Sequence, residues 1–478
     1  MHILGDIPLV GTMPSLVNGV VIILVWAFFF VSTARARSVG YAIRLACVLL
    51  GSVTTVTALV WLVLEKTWKP FGGGTAIGVY VAGWALIVLI GLAIGSHCAR
   101  GRTRLVPWFK KLRATEPRAT GPRSSRPRAT FSQRWASISW KSVLHAVGAC
   151  VAFTCGTVAC VNVVNNSFAL YPSVDSLVGK EPYTTAQYAD VKGTSTPFTP
   201  PQGSTIAGAW NGVSPRNKGV LVPFMIPSPV SHFQTTESQV YLPPAYFANP
   251  RPLLPVVVLM NGLPGSPSQW FEIGNAGQTL HHFERVHHGL APVVVAINTT
   301  GNDDEDLGCF DTKKAKVQTY MDTDVPQQIQ KYFQVSNDPT QWAIGGLSYG
   351  GTCALQAIVN NPEPYRYFLD FSGDRTPGTM SAKKNADTYF EGNLNAYLRV
   401  NPEDILKRRK FTGIKGVFVA GQSDKSSVRD LKYMNGLAQS AGIDSSFREV
   451  PGGHDFGTWR LALVLTLPDV ARATRLIG

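Results

Sequence analysis

Trp342–Gly351, WAIGGLSYGG, is an apolar run that ends in Gly346-Leu347-Ser348-Tyr349-Gly350 and then opens into a helix-like pattern, GTCALQAIVNN. A strand that turns sharply into a helix at a glycine-flanked serine is a nucleophile elbow. The reason is chemical: a serine hydroxyl is a weak nucleophile at neutral pH, so it has to be held where a base can reach it. Gly346 and Gly350 flank Ser348 because side chains there would collide with the neighbouring strand and helix. Taken alone the pattern is common, so its meaning depends on the residues downstream of Ser348.

Chemistry of this kind needs an acid and a histidine further along the chain, in that order. The run Ile414–Gly421, IKGVFVAG, reads as a buried strand, and the loop after it, QSDKSS, offers Asp424. Asp430 lies six residues on and is the alternative acid if that loop is longer. The segment Ser446–Val450 reads as another strand and runs into PGGHDFGTW, which puts His454 just past its end. The expected roles are His454 as base for Ser348 and Asp424 as the group that orients the imidazole. The remaining histidines of this half do not compete. His232 precedes the first core strand, and His281, His282, His287 and His288, with Glu284, read as the polar face of a surface helix without the spacing of a zinc signature. We expect no metal and no cofactor.

A tetrahedral oxyanion needs two donors. One is the backbone N–H of Tyr349, after the nucleophile, and the other should follow the first core strand, Pro255–Met260, PVVVLM. That strand runs into NGLPGSPSQW, where Leu263 is the expected donor and Trp270 a candidate for contacting substrate. The acidic loop GNDDEDLGCFDT follows the second core strand, at the carboxyl end of the sheet where ligands bind, so Asp303 and Asp304 are candidates for meeting a cationic group on the substrate. A solvated acidic surface loop is the plainer alternative. Cys309 and Cys353, one after the second core strand and one in the elbow helix, are placed to form a disulfide in an oxidising compartment.

The runs NGLPGSPSQW, GLSYGG and PGGHDFGTW together resemble the esterase D and antigen 85 (mycolyltransferase) group of α/β-hydrolases, over roughly Gln239–Leu467. The resemblance implies a serine esterase or acyltransferase that uses the amide of the residue matching Leu263 and the amide after the nucleophile. Where the mycolyltransferases carry an arginine after the Gly-Leu pair, this chain has Pro264.

The first third is different material. Four apolar runs, about Leu16–Thr33, Tyr41–Leu64, Ala76–Ile94 and Leu144–Val164, are long enough to cross a bilayer core, which takes roughly 20 residues. They are apolar all round rather than striped, which argues against core helices of a soluble domain. The segment before the first run has no Lys or Arg, unlike a signal peptide. Basic residues in short loops stay on the cytoplasmic side. Arg35 and Arg37 follow the first run, and the loop 99–141 carries twelve of the 44 Lys and Arg residues against a single acid, Glu116. Both loops are therefore expected inside, with the hydrolase outside the cell membrane. The net charge of +14 is then a topology device, attracted to anionic membrane lipids, and not a nucleic-acid footprint.

The expected architecture is an N-terminal α-helical transmembrane bundle of four spans (1–164), a linker (165–203) and a C-terminal α/β-hydrolase domain (204–478), with a mostly parallel sheet covered by helices on both faces. The expected activity is hydrolysis of a lipid or cell-envelope ester through an acyl-serine. Removal of an aminoacyl group from a lipid is one version of it, and acyl transfer to a sugar or lipid hydroxyl is an alternative. A catalytically silent membrane scaffold is the reading from another class, and the filled positions 348, 424 and 454 argue against it.

Overall fold

The computed structural model describes residues 8–10, 12–62, 77–100, 140–171, 173–174, 181–301, 305–378 and 381–478. The chain divides into two compact units, Met1–Leu177 and Val178–Gly478. The first holds α1 (Thr12–Ala36), α2 (Val39–Leu62), α3 (Ile77–Arg100) and α4 (Trp140–Phe168). Among the described residues these four helices are long and apolar enough to cross a membrane. Val25, Phe29, Val53, Val88, Leu89 and Leu92 form their shared core. Small residues let the helices approach: a Cβ on Gly156 of α4 would sit 2.8 Å from Leu89 of α3. Leu24, Val48 and Val158 remain more than 60% exposed, so the outer surface is as apolar as the core. A surface of this kind suits contact with lipid better than contact with water. The basic loop read at 99–141 lies almost wholly outside the described residues.

In the second unit, short alternating apolar runs make a nine-stranded sheet. Its strands are β1 (Thr184–Thr185), β3 (Val220–Phe224), β4 (Ser238–Leu242), β6 (Val256–Met260), β7 (Val293–Ile297), β8 (Trp342–Leu347), β9 (Tyr367–Phe371), β10 (Lys415–Gly421) and β11 (Asp444–Val450). A separate pair joins β2 (Pro197–Phe198) to β5 (Arg251–Pro252). The spatial order is β1-β3-β4-β7-β6-β8-β9-β10-β11. β4 runs antiparallel to both neighbours, and every other pairing is parallel. β6, β7, β8 and β9 are buried along their whole length, as strands covered on both faces must be. The helices of seven or more residues are α5 (Ala276–Val286), α6 (Val325–Tyr332), α7 (Tyr349–Asn360), α8 (Ala382–Phe390), α9 (Leu394–Val400), α10 (Pro402–Arg408), α11 (Lys425–Ser440) and α12 (Phe456–Ala473).

The segment expected as a linker, 165–203, is divided differently. α4 continues to Phe168, while Thr184 and Thr185 pair with Val220 and Leu221, and Pro197 and Phe198 with Arg251 and Pro252. Two-residue strands carry no period that a sequence reading can detect. The backbone of β1 is nevertheless used by the edge of the nine-stranded sheet, and that of β2 by the separate pair with β5.

Candidate active site

Parallel strands with right-handed crossovers put all their carboxyl ends along one edge, and the sequence-predicted residues collect there. Gly346 pairs with Asp370 and Leu347 with Phe371, while Phe371 pairs with Val419. The loops after β8, β9 and β10 are therefore neighbours. Ser348 sits at φ 52°, ψ −120°, a strained conformation for a non-glycine residue, at the junction of β8 and α7. Its own N–H donates to the Phe371 carbonyl at 2.7 Å. The flanking glycines are needed because backbone lies where their side chains would be. A Cβ on Gly346 would fall 2.3 Å from the Gly350 carbonyl carbon, and one on Gly350 2.4 Å from the Met260 carbonyl oxygen.

His454 Nε2 lies 2.8 Å from Ser348 Oγ, and its Nδ1 lies 2.8 Å from Asp424 Oδ2. The carboxylate has a second task in its own loop. As N-cap of α11, Asp424 accepts through Oδ1 from the Ser427 N–H at 3.1 Å and from the Ser426 hydroxyl at 2.9 Å. Burial by itself would raise its pKa. The hydrogen bonds from His454 and Ser427, with the attraction of a charged imidazole, outweigh that and hold it well below the usual carboxylate range. Asp430, the alternative acid, is turned away and grips Arg429 with bonds of 2.7 and 3.0 Å. The histidine loop is fixed just as locally. Asp455 caps α12 by accepting from the Thr458 N–H at 2.9 Å, and it also takes the Gly453 N–H at 2.7 Å. A Cβ on Gly421 would fall 2.4 Å from the Gly453 carbonyl oxygen, so the end of β10 has to be glycine for this loop to close on it. The Trp459 ring meets the imidazole edge-on at 5.2 Å.

The Tyr349 amide opens α7, where no carbonyl lies one turn back to receive it. The loop of Leu263 passes close to the nucleophile: a Cβ on Gly262 would sit 2.8 Å from Leu347 Cδ1 and 3.6 Å from Ser348 Cβ. Gln269, which the sequence reading did not single out, holds this loop on both sides of Leu263. Its Oε1 accepts from the Gly262 N–H at 3.3 Å, and its Nε2 donates to the Pro264 carbonyl at 3.0 Å. Trp270 is a correction. It is fully buried and donates its indole N–H to the Met260 carbonyl at 3.0 Å, so it packs beneath the loop and does not face substrate. An aromatic residue in a glycine-rich loop reads as exposed, whereas the loop folds back over the sheet.

Asp303 and Asp304 lie outside the described residues. The acidic character of the cleft has another source. Asp374, just past the end of β9, is anchored by its N–H donating to the Thr352 hydroxyl at 2.7 Å. The residue is exposed to solvent at the strand end, yet the protein packed around it desolvates the carboxyl. That desolvation pushes its pKa up to about 6, the charge of His454 pulls against the rise, and Asp306, Asp430 and Asp424 reinforce it. The signal was present in YFLDFSGD, since loops at strand carboxyl ends line the crevice. Asp370 lies beneath, fully buried, with Oδ1 accepting the Gly373 N–H at 2.8 Å; burial raises it to about 7. Cys309 and Cys353 form a disulfide with Cα atoms 5.3 Å apart, tying the acidic loop to the elbow helix.

The histidine-rich helix α5 also differs from expectation. Glu284 is buried, accepting from the Tyr241 hydroxyl at 2.9 Å and pairing with His281 at 2.9 Å, because the buried phenol on β4 requires an acceptor. Among the described residues no three His, Cys, Asp or Glu side chains are grouped to hold a metal ion.

The Esterase family model, described as "Putative esterase", matches residues 233–470. An uncharacterized protein of Corynebacterium glutamicum is 34% identical over 432 residues, covering 88% of each chain. Among solved structures, a ferulic acid esterase is 22% identical and covers 54% of this chain and 99% of its own, with a TM-score of 0.45. The S-formylglutathione hydrolase of Agrobacterium tumefaciens is 18% identical over 55% of this chain and 99% of its own, with a TM-score of 0.45. MPT51 of Mycobacterium tuberculosis is 16% identical over 52% and 97%, with a TM-score of 0.39. A serine at a strained strand-to-helix turn, within a family match that runs from before β4 into α12, places the chain in the Esterase family of α/β-hydrolases, as a carboxylic ester hydrolase joined to four long apolar helices.

Proposed function

We propose that this chain is a membrane-anchored serine esterase that cleaves a lipid or cell-envelope ester on the extracytoplasmic face through an acyl-Ser348 intermediate. The observation that carries the reading is the unbroken relay Ser348 Oγ, His454, Asp424, with both contacts at 2.8 Å. In this reading Ser348 Oγ attacks the ester carbonyl as its proton passes to His454 Nε2. Asp424 keeps the Nδ1 proton in place and stabilises the imidazolium. The Tyr349 and Leu263 amides receive the oxyanion, and His454 returns its proton to the leaving alcohol as the C–O bond breaks. Water then attacks the acyl-serine by the same relay in reverse and frees the acid.

Two features support the extracytoplasmic side. The Cys309–Cys353 disulfide belongs to an oxidising compartment, and twelve basic residues crowd 99–141. The apolar outer surface of α1–α4 supports an ester that resides in or beside the bilayer. Asp374, whose carboxyl feels the charge of His454, suits an ester whose acyl group carries an amine, an aminoacyl ester of a lipid being the simplest case.

The test uses the full chain in membranes with a fluorophosphonate probe. Wild type is expected to label and Ser348→Ala to stay dark, and an unlabelled but folded wild type ends the proposal. Lipid profiles of cells carrying Ser348→Ala should accumulate one ester species. Loss of a product without accumulation of an ester replaces water with an alcohol as acceptor.

A further inference from the structure

At the opposite end of the sheet from Ser348 lies a polar pocket that ester cleavage does not use. Leu290, just before β7, and Pro244, just past the antiparallel β4, put it at the amino ends of the parallel strands, whereas Ser348 follows the carboxyl end of β8. Its volume is about 540 Å³, within the range of about 300–1,000 Å³ of small-molecule sites. Two separate pieces of chain bring cationic groups to its wall: Arg216 from the segment before β3, and Arg285, His287 and His288 from the end of α5. Among the described residues no ion pair involves any of the four. The one carboxylate on the same wall is already committed. Glu284 is buried, its Oε2 accepting from the Tyr241 hydroxyl and its Oε1 paired with His281.

A helix end accounts for Arg285 and His287, since cations near the last carbonyls offset the helix dipole. It does not account for Arg216, which another element supplies. Burial, and after it the charge of His288, lowers the pKa of His287, so these groups crowd one another. Like charges gathered in a concavity repel, and an anion among them relieves the repulsion. The walls are tied in place. The Arg216 N–H donates to the Ser214 hydroxyl at 3.0 Å, and that hydroxyl donates to the Pro244 carbonyl at 2.6 Å. The Arg216 guanidinium lies 4.5 Å from the centroid of the Phe247 ring, a stacking that leaves its N–H edge for a partner. Opposite, the Gly289 carbonyl accepts the Ala245 N–H at 3.0 Å, and the Gly289 N–H donates to the Glu284 carbonyl at 2.7 Å. Two arginines suit a phosphate, whose oxygens match the guanidinium fork. The pocket is larger than a bare phosphate fills, and Asn211 and Asn217 add amides that suit hydroxyl groups. The geometry points to a binding site for a phosphorylated polyol, its phosphate held by Arg216 and Arg285 and its hydroxyls by Asn211 and Asn217. The site goes beyond the ester-cleaving reading and does not depend on it. Either a glycerophospholipid headgroup or a soluble polyol phosphate carries this chemistry.

The experiment is isothermal titration calorimetry of the full chain in dodecyl maltoside with sn-glycerol 3-phosphate, glycerol, inorganic phosphate and dihexanoylphosphatidylglycerol. Wild type is expected to bind one glycerol 3-phosphate, about tenfold more tightly than inorganic phosphate, and to ignore glycerol. Arg216→Gln and Arg285→Gln should each weaken binding about tenfold, equivalent to about 1.4 kcal/mol. Ser348→Ala should bind as wild type does. Unchanged p-nitrophenyl acetate hydrolysis in both arginine variants reports that the catalytic unit is intact. Phosphatidylglycerol that binds with the same dependence on both arginines makes the source a lipid headgroup, and binding of glycerol 3-phosphate alone makes it a soluble phosphate; either supports the site. No binding, binding indifferent to both arginine substitutions, or inorganic phosphate bound as tightly overturns it. Loss of binding in Ser348→Ala puts the ligand in the catalytic cleft and overturns it as well. A wild type that binds glycerol 3-phosphate yet stays dark to the fluorophosphonate probe ends the esterase reading and leaves this site standing.

Discussion

At Asp374 a single charge is placed where it can act on the reaction. Its carboxyl ionises near pH 6 instead of the ordinary 3.8, so the negative charge is present above pH 6 and is lost as the pH falls through that value. A carboxylate near His454 favours the imidazolium that forms as Ser348 gives up its proton. Asp374→Asn should therefore lower kcat/KM about three- to tenfold at about pH 8, with the wild-type to variant ratio approaching one below about pH 5. A ratio independent of pH would remove Asp374 from the chemistry. Gln269 acts through the loop it holds and is a positioning residue. Gln269→Ala should reduce kcat by about tenfold while KM changes less than about twofold, since a misplaced oxyanion donor is felt mainly in the transition state. Equal losses in both constants would indicate a general loosening of the cleft.

Between elements, the loop after β9 is held from outside the cleft by α10. Glu403 receives Arg375 at 2.5 and 2.7 Å, Lys407 at 2.7 Å and the Tyr433 hydroxyl at 2.9 Å. Hydrogen bonds from Arg375, only partly countered by burial, lower its pKa to about 2 from 4.5. A depressed carboxylate stabilises the fold above its unfolded value, and that contribution disappears as the pH drops from about 4.5 to about 2. Arg375 and Lys407 are partly exposed, so solvent screening limits the gain to about 1–2 kcal/mol. Glu403→Gln should accordingly lower the denaturation midpoint at pH 7 and match wild type near pH 2, measured by urea unfolding of the full chain in detergent.

For the whole molecule, the proposed membrane anchoring predicts a sided arrangement. Adding protease to intact cells should release the Esterase domain from the outside and leave the basic 99–141 segment protected, with the reverse pattern in inverted vesicles. Release only from inverted vesicles would place the domain in the cytoplasm and leave the disulfide without its compartment.

Much of this was legible in the chain as written. A glycine on either side of Ser348, an acid after one late strand and a histidine after the next, and apolar runs of membrane length are local records of backbone constraint, and local patterns survive in one dimension. Asp424 could be preferred to Asp430 because it stands directly at a strand end, where the structure uses it both as helix cap and as partner of His454. Other features depended on what distant segments bring together. Trp270 and Glu284 read as exposed and are buried, since their neighbours, the Met260 carbonyl and the Tyr241 phenol, come from other strands. The charge of Asp374 is felt at His454 only because β9, β10 and β11 align their carboxyl ends in register. Sequence thus determined which chemistry the chain carries and where its backbone must bend; tertiary structure alone decided which side chains share a cleft, because proximity across a sheet is set by strand order, on which adjacent residues carry no information.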